Sequence, residues 1–237
     1  MYKSSGSIKN FTRLARYNMT IIFGGRFIYF ILAAFLFFLV FGTIIALNEN
    51  EITLGTIYGL LSFPAVLLVF YPSVFGIQND ADQRTLEIIF GIPNYRYKIW
   101  MVRLIMVLLL VFFLFIPFSV IAYWALAAFP VLEMNSQLMV LVFFTATLGF
   151  CVSTIVKNGN AAAVIMVIIA LVFLILAEPL EYSRWNILLN PFRNPENINE
   201  IVWIETIRYN RIFMMISGLV FSLTGLLNLQ NREKFLR

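Results

Sequence analysis

Six runs of aliphatic and aromatic residues, each close to the length of a bilayer-crossing helix and none with an acidic or basic side chain inside it, govern what this 237-residue chain can fold into. A helix rising about 1.5 Å per residue needs about 20 apolar residues to cross about 30 Å of hydrocarbon. The runs cover residues 27–47, 54–77, 104–128, 138–156, 161–177 and 212–229. They lack the period-two alternation of barrel strands and are too long to be such strands, so closed helices are the way left to satisfy the backbone in lipid. A content of 61% hydrophobic and 12% charged residues, with a mean hydropathy of +0.89, lies outside the globular range. The expectation is an all-α polytopic membrane protein, a single transmembrane domain of six helices with no room for a soluble domain.

Lys and Arg are retained on the cytoplasmic side of short loops, whereas acids contribute little. With the amino terminus inside, thirteen of the 17 basic residues fall on the cytoplasmic side. The opposite side holds Arg184, Arg193, Arg208 and Arg211 with eight of the 12 acids. Both termini are therefore expected in the cytoplasm. The pI of about 9.4 reports topology and attraction to anionic lipid head groups rather than a nucleic-acid surface. Residues 1–26 do not resemble a cleavable signal, because the polar stretch is long and the next apolar run is of full span length. Ile8, Phe11, Ala15, Met19 and Ile22 share one helical face and Lys9, Arg13 and Arg16 a neighbouring one, the pattern of an interfacial amphipathic helix.

The spans are informative through what they lack. Proton relays, charged pore rings and intramembrane hydrolases need ionisable groups at depth, and the runs contain none. With no His and one Cys, Cys151, the usual zinc, haem and Ser-His or Cys-His constellations cannot be built. No metal or cofactor and no catalytic residue is expected on the chain. The hydroxyls within the spans, Thr145, Thr147, Ser153 and Ser217 among them, are expected mainly to glue helices together. Pro64, Pro72 and Pro117 permit kinks, and Gly55 with Gly59 forms a small-xxx-small pair suited to close helix contact.

One connector is specialised. Residues 78–103 read QNDADQRTLEIIFGIPNYRYKIWMVR. Asp80 followed by Gln83 has the spacing of an N-cap and its partner, Leu86, Ile89 and Phe90 recur at helical spacing, and Gly91 with Pro93 ends the helix. The spacing predicts a short amphipathic coupling helix within 79–93 at the cytoplasmic surface, leading through Tyr95, Arg96, Tyr97, Lys98 and Trp100 to Arg103, placed to snorkel to the interface. An ordinary polar loop that sets topology would not need a capped helix.

This connector resembles that of the membrane subunits of type-two ABC exporters: an acid, then Gly-Thr-Leu-Glu, aliphatics, Pro, a basic patch and Lys at the head of the third span. Here the pattern runs Asp82, Arg84, Thr85, Leu86, Glu87, the aliphatics to Phe90, then Pro93, Arg96, Lys98 and Arg103, with Arg84 in place of Gly and Arg103 in place of Lys. The resemblance covers about a tenth of the chain by motif and extends loosely over the rest. It implies a permease subunit of an ATP-driven exporter in a prokaryotic cytoplasmic (inner) membrane. Such a subunit forms half of a translocation pathway with a second, identical or different, permease subunit. No G-x-x-x-x-G-K-[ST] occurs, so ATP and Mg belong to a partner ATPase present in two copies, and the chain itself is not an enzyme. Leu86 and Phe90 are the expected packing contacts to the ATPase, with Arg84, Glu87 and Arg96 as ionic ones. The resemblance also implies an outer re-entrant segment at 178–211, where Trp185, Leu188 and Phe192 insert into the outer leaflet and Asn197 with Glu200 caps a second short helix. A spanning path without buried charge favours amphipathic or apolar cargo. A haem-exporter permease of cytochrome maturation is the narrower alternative, a membrane scaffold or assembly factor that uses the same helix for docking comes from a different class, and a membrane enzyme ranks third.

Overall fold

The structure is a computed structural model that describes residues 27–47, 52–82, 86–91, 95–156, 158–193, 195 and 198–230, with the backbone alone of Asp82 and Glu87. The expected amino-terminal interfacial helix at 1–26, together with Gln83, Arg84, Thr85, Pro93 and Asn197, lies outside the described residues. The elements are α1 (Phe27–Leu47), α2 (Leu54–Asp82), the short α3 (Leu86–Gly91), α4 (Arg96–Ala125, π-helical over Arg96–Met101), α5 (Val131–Val156), α6 (Gly159–Ala177) and α7 (Glu200–Asn228). All but α3 are long and apolar enough to cross a membrane, and no strand occurs among the described residues. The chain is an all-α polytopic integral membrane protein.

The helices follow the apolar runs but outlast them. α2 continues to Asp82, α5 begins at Val131 and α7 at Glu200, because the backbone ladder persists where side chains turn polar. At 29 residues each, α2 and α7 are about 43 Å long, more than the hydrocarbon requires. The polar start of α7 is capped by Asn199, whose side-chain oxygen accepts from the Ile201 amide at 3.0 Å. This corrects the expected Asn197–Glu200 cap: Glu200 opens the last spanning helix, and no separate short helix precedes it among the described residues. Pro64 and Pro72 sit inside a continuous α2, and Pro117 inside a continuous α4.

α5 is the central helix, packed against α2, α4, α6 and α7, while α1 lies on α2 and the flank of α4. Only Phe27, Ala34 and Phe38 of α1 and Gly159, Ala162 and Met166 of α6 are buried. Phe30, Ile31, Phe37 and Ile45 of α1 and Ile169 and Phe173 of α6 are half-buried against the bundle, while most of the other Leu, Ile, Val and Phe side chains of these two edge helices face outward, as lipid-facing surfaces do. The α5–α7 contact is built from notches. A Cβ placed on Gly218 would come 2.5 Å from the Phe143 ring, and one on Gly225 2.6 Å from the Phe150 ring, so two phenyl groups seven residues apart on α5 sit over two glycines seven apart on α7. Such small-residue contacts bring helices together in a medium that supplies no hydrophobic drive between them. Gly55 and Gly59 do not serve in this way. A Cβ on Gly55 would meet Asn190 and the Arg193 backbone, and one on Gly59 would meet nothing within 4 Å.

Most span hydroxyls do not glue helices either. Thr145, Thr147, Ser153, Thr154, Ser217 and Thr224 donate to carbonyls three or four residues back in their own helices. Cross-helix links come from Ser119 donating to Asn135 at 2.6 Å and the Asn228 amide donating to Thr154 at 3.2 Å.

The segment joining α6 to α7 contains no helix among its described residues before Glu200, in contrast to the expected short re-entrant helices. Ser183, Asn186 and Asn190 each accept from the amide two residues on, so their side chains compete with helix formation and produce successive turns. Asparagine amides then pin the turns to the bundle: Asn190 to the Gly55 carbonyl, Asn186 to that of Ala177, and Asn210 of α7 to those of Arg184 and Asn186. Ile187 and Leu189 are buried beneath it.

Candidate functional site

The end of the bundle that carries α3 holds charged groups that the apolar spans exclude, beside a cluster of buried aromatic side chains. α3 is six residues long, too short to hold together in water by its own hydrogen bonds. It is held by packing: Leu86, Ile89 and Phe90, at i, i+3 and i+4, are all buried. They join Ile77 of α2, Tyr95, Trp100 of the π-helical turn, Phe150 of α5, and Leu226 and Leu229 at the end of α7 in one cluster. Phe90 meets Tyr95 edge-on at 5.0 Å between ring centres, Trp100 lies 6.4 Å from Phe150, and the Tyr95 hydroxyl donates to the Leu229 carbonyl. α3 is thereby seated on the ends of α2, α4, α5 and α7.

Beneath this cluster, Arg103 in the first α-helical turn of α4 meets Asp80 in the last turn of α2. Nη1 donates to Oδ2 at 2.7 Å and Nη2 to Oδ1 at 3.3 Å, Nη1 also reaches the Gly76 carbonyl at 3.4 Å, and the guanidinium stacks 4.8 Å from the Trp100 ring centre. Asp80 is 0% and Arg103 5% exposed. Two-point pairing with a stacked aromatic face suits guanidinium and would not suit an ammonium. Desolvating two charges is costly, and the cost is offset here by both ionic hydrogen bonds and by the indole. The pair ties together the two helix ends that flank α3.

Several expectations need correction here. Asp80 is an interior residue of α2 and an ion-pair partner, not the N-cap of the coupling helix, and Arg103 turns into the bundle instead of snorkelling. Leu86 and Phe90 anchor α3 to its own chain and have no surface to offer a partner. Among its described side chains α3 presents Ile88 outward, 72% exposed, and Tyr97 and Lys98 in the turn that opens α4 are exposed as well. Arg96 is half-buried, its guanidinium 5.6 Å from the Tyr97 ring centre. Asp82 ends α2 and Glu87 lies in α3, their side chains outside the description. At the opposite end Trp185 is exposed, against Phe213 at 4.9 Å, and Leu188 and Phe192 are half-buried. Sequence reasoning missed the roles of Asp80, Trp100, Tyr95 and Ile88. A signal existed in the opposite charges of Asp80 and Arg103, one about a turn past the second apolar run and the other immediately before the third.

Fold and site together define a polytopic membrane protein in which, among the described residues, one short helix between the spans is clamped to the ends of four spanning helices. No protein-family model, curated protein or solved structure matches the chain.

Proposed function

We propose that this chain is the permease subunit of an ATP-driven exporter of the type-two ABC class, forming half of a translocation pathway and driven at α3 by a separate ATPase. The observation that carries the reading is the seating of α3. Leu86, Ile89 and Phe90, three of its six residues, are buried in a cluster built from four spanning helices, and the helices on either side of it are tied by a buried ion pair. A push on the outward face of α3 is therefore passed to the ends of α2, α4, α5 and α7 together, the coupling that a rigid-body motion of the bundle requires. A loop that merely set topology would need neither the buried cluster nor the clamp.

The contact surface for the ATPase is Ile88, flanked by Tyr97 and Lys98, with Leu86 and Phe90 as the roots of the lever. ATP and Mg reside on the ATPase, present in two copies, and a second permease subunit, identical or different, completes the pathway. The α3 end faces the cytoplasm of a prokaryotic cell, which agrees with the charge bias of the connectors. The chain performs no chemistry of its own.

The test is purification of the intact complex from its native membrane, with the bound subunits identified and ATP hydrolysis measured in nanodiscs. An ATPase carrying G-x-x-x-x-G-K-[ST] is expected. Ile88→Glu should lower coupled hydrolysis by about tenfold, the scale of one central interface anchor, without moving the melting temperature of the chain. A complex with no ATPase, or full coupling in Ile88→Glu, overturns the reading, and capture of a non-hydrolysing partner at α3 makes the chain a scaffold.

A further inference from the structure

At the end of the bundle opposite α3, two cavities of contrasting chemistry meet. One, of about 310 Å³, lies between α2, α5 and α6 and is walled by side chains such as Val66, Phe144, Leu148 and Phe173. The other, of about 460 Å³, lies under the turns that follow α6 and is lined by Glu178, Glu181, Tyr182, Arg193 and Trp203. Leu188 and Asn190 line both, so the two spaces share a wall.

The apolar space is not a packing remnant that nearby side chains could not reach. Gly59 lines it, and a Cβ there would meet nothing within 4 Å. From Tyr58 to Val66 of α2 it extends about 12 Å along the helix axis. Water does not fill an apolar cavity, and within a bilayer the matching occupant is an aliphatic chain.

The polar space selects a head group. Its ionised side chains are Glu178, Glu181 and Arg193, with Arg193 paired to Glu181, so the balance is one excess negative charge, unfavourable for a phosphate or carboxylate. Trp203 is 5% exposed, and its indole Nε1 finds no acceptor among the described residues, a state that buried donors rarely tolerate. The Glu181 carboxylate beside Tyr182 raises the phenol pKa above its usual value. Donors and acceptors beside two aromatic rings fit neutral hydroxyls on an apolar ring or backbone.

The structure assigns this pair of cavities to a neutral amphiphile, its aliphatic chain between α2, α5 and α6 and its hydroxyl-rich head, of sugar or glycerol type, beneath residues 178–195. The assignment concerns binding and stands whether or not the chain is an exporter.

The test uses the full chain in phosphatidylcholine nanodiscs and an alkyl maltoside carrying a diazirine near the end of its chain, with labelled residues located by mass spectrometry. Labels should concentrate on the facing sides of α2, α5 and α6. Gly59→Leu, whose Cβ enters open space, should reduce them about tenfold at an unchanged melting temperature. Unlabelled dodecyl maltoside should compete, whereas dodecyl phosphate and dodecyltrimethylammonium should not. Trp203→Phe, which keeps the ring and removes the donor, should weaken that competition about fivefold, the scale of one hydrogen bond. Labelling spread over the outward faces of α1 and α6 and insensitive to Gly59→Leu means ordinary boundary lipid and overturns the assignment. Equal or better competition by a charged head group overturns it as well. Loss of ATPase partnership leaves all of these readouts in place, so the two proposals fail separately.

Discussion

Arg103 joins two helices that are adjacent in the bundle but separated in sequence by the whole α3 connector, and its Nε has no partner among the described residues. A buried guanidinium in that position depends on its carboxylate: removing one member of a buried pair costs far more than removing both. Asp80→Ala should therefore destabilise the chain by about 3 to 5 kcal/mol. The double variant Asp80→Leu with Arg103→Met should recover most of the loss, because packing replaces an ion pair whose desolvation was costly. Unfolding of the three variants in a mild detergent measures this, and equal losses in the single and double variants would show that the pair is not the source. Local spacing alone assigned Asp80 to a cap and Arg103 to the interface. Both assignments were reasonable over a window of four residues, and neither could register a partner 23 positions away.

At the scale of the element, composition makes each spanning segment helical, but position within the bundle decides what its glycines do. Gly59 faces open space and Gly225 lies under the Phe150 ring, which is in turn backed by Trp100. Gly225→Leu should therefore separate α5 from α7 and destabilise by about 1 to 3 kcal/mol, the usual cost of overpacking. Phe150→Ala placed on that background should restore part of the loss by giving the new side chain room. A thermal shift assay on the single and double variants reads the outcome, and a neutral Gly225→Leu would mean that the α5–α7 notch is not a close contact. Sequence reasoning selected Gly55 and Gly59 because their spacing fits a familiar pattern. It passed over Gly218 and Gly225, whose spacing has meaning only against Phe143 and Phe150 on another helix.

For the molecule as a whole, six spans place α3 and the asparagine-pinned turns at opposite ends, on opposite sides of a membrane. The orientation expected from the charge bias is tested by labelling. In a Cys151→Ser background, Trp185→Cys should react with an impermeant maleimide on intact cells, and Ile88→Cys only after permeabilisation. Cys151 itself is buried, so its removal does not alter the accessible surface. The reverse pattern would put α3 out of reach of a cytosolic ATPase and end the transport reading. The number and approximate place of the spans, and the existence of a short amphipathic helix between the second and third, were decided by the sequence alone. Transfer of about 20 apolar side chains into lipid and the i, i+3, i+4 recurrence of Leu86, Ile89 and Phe90 are both properties of contiguous residues. Which way that amphipathic face turns, that α5 stands at the centre, that Asp80 meets Arg103, and that a polar cavity adjoins an apolar one were decided only by the tertiary structure. Each of these depends on groups brought together from distant parts of the chain, and an apolar stripe carries no record of whether its cover is a partner or the protein's own core.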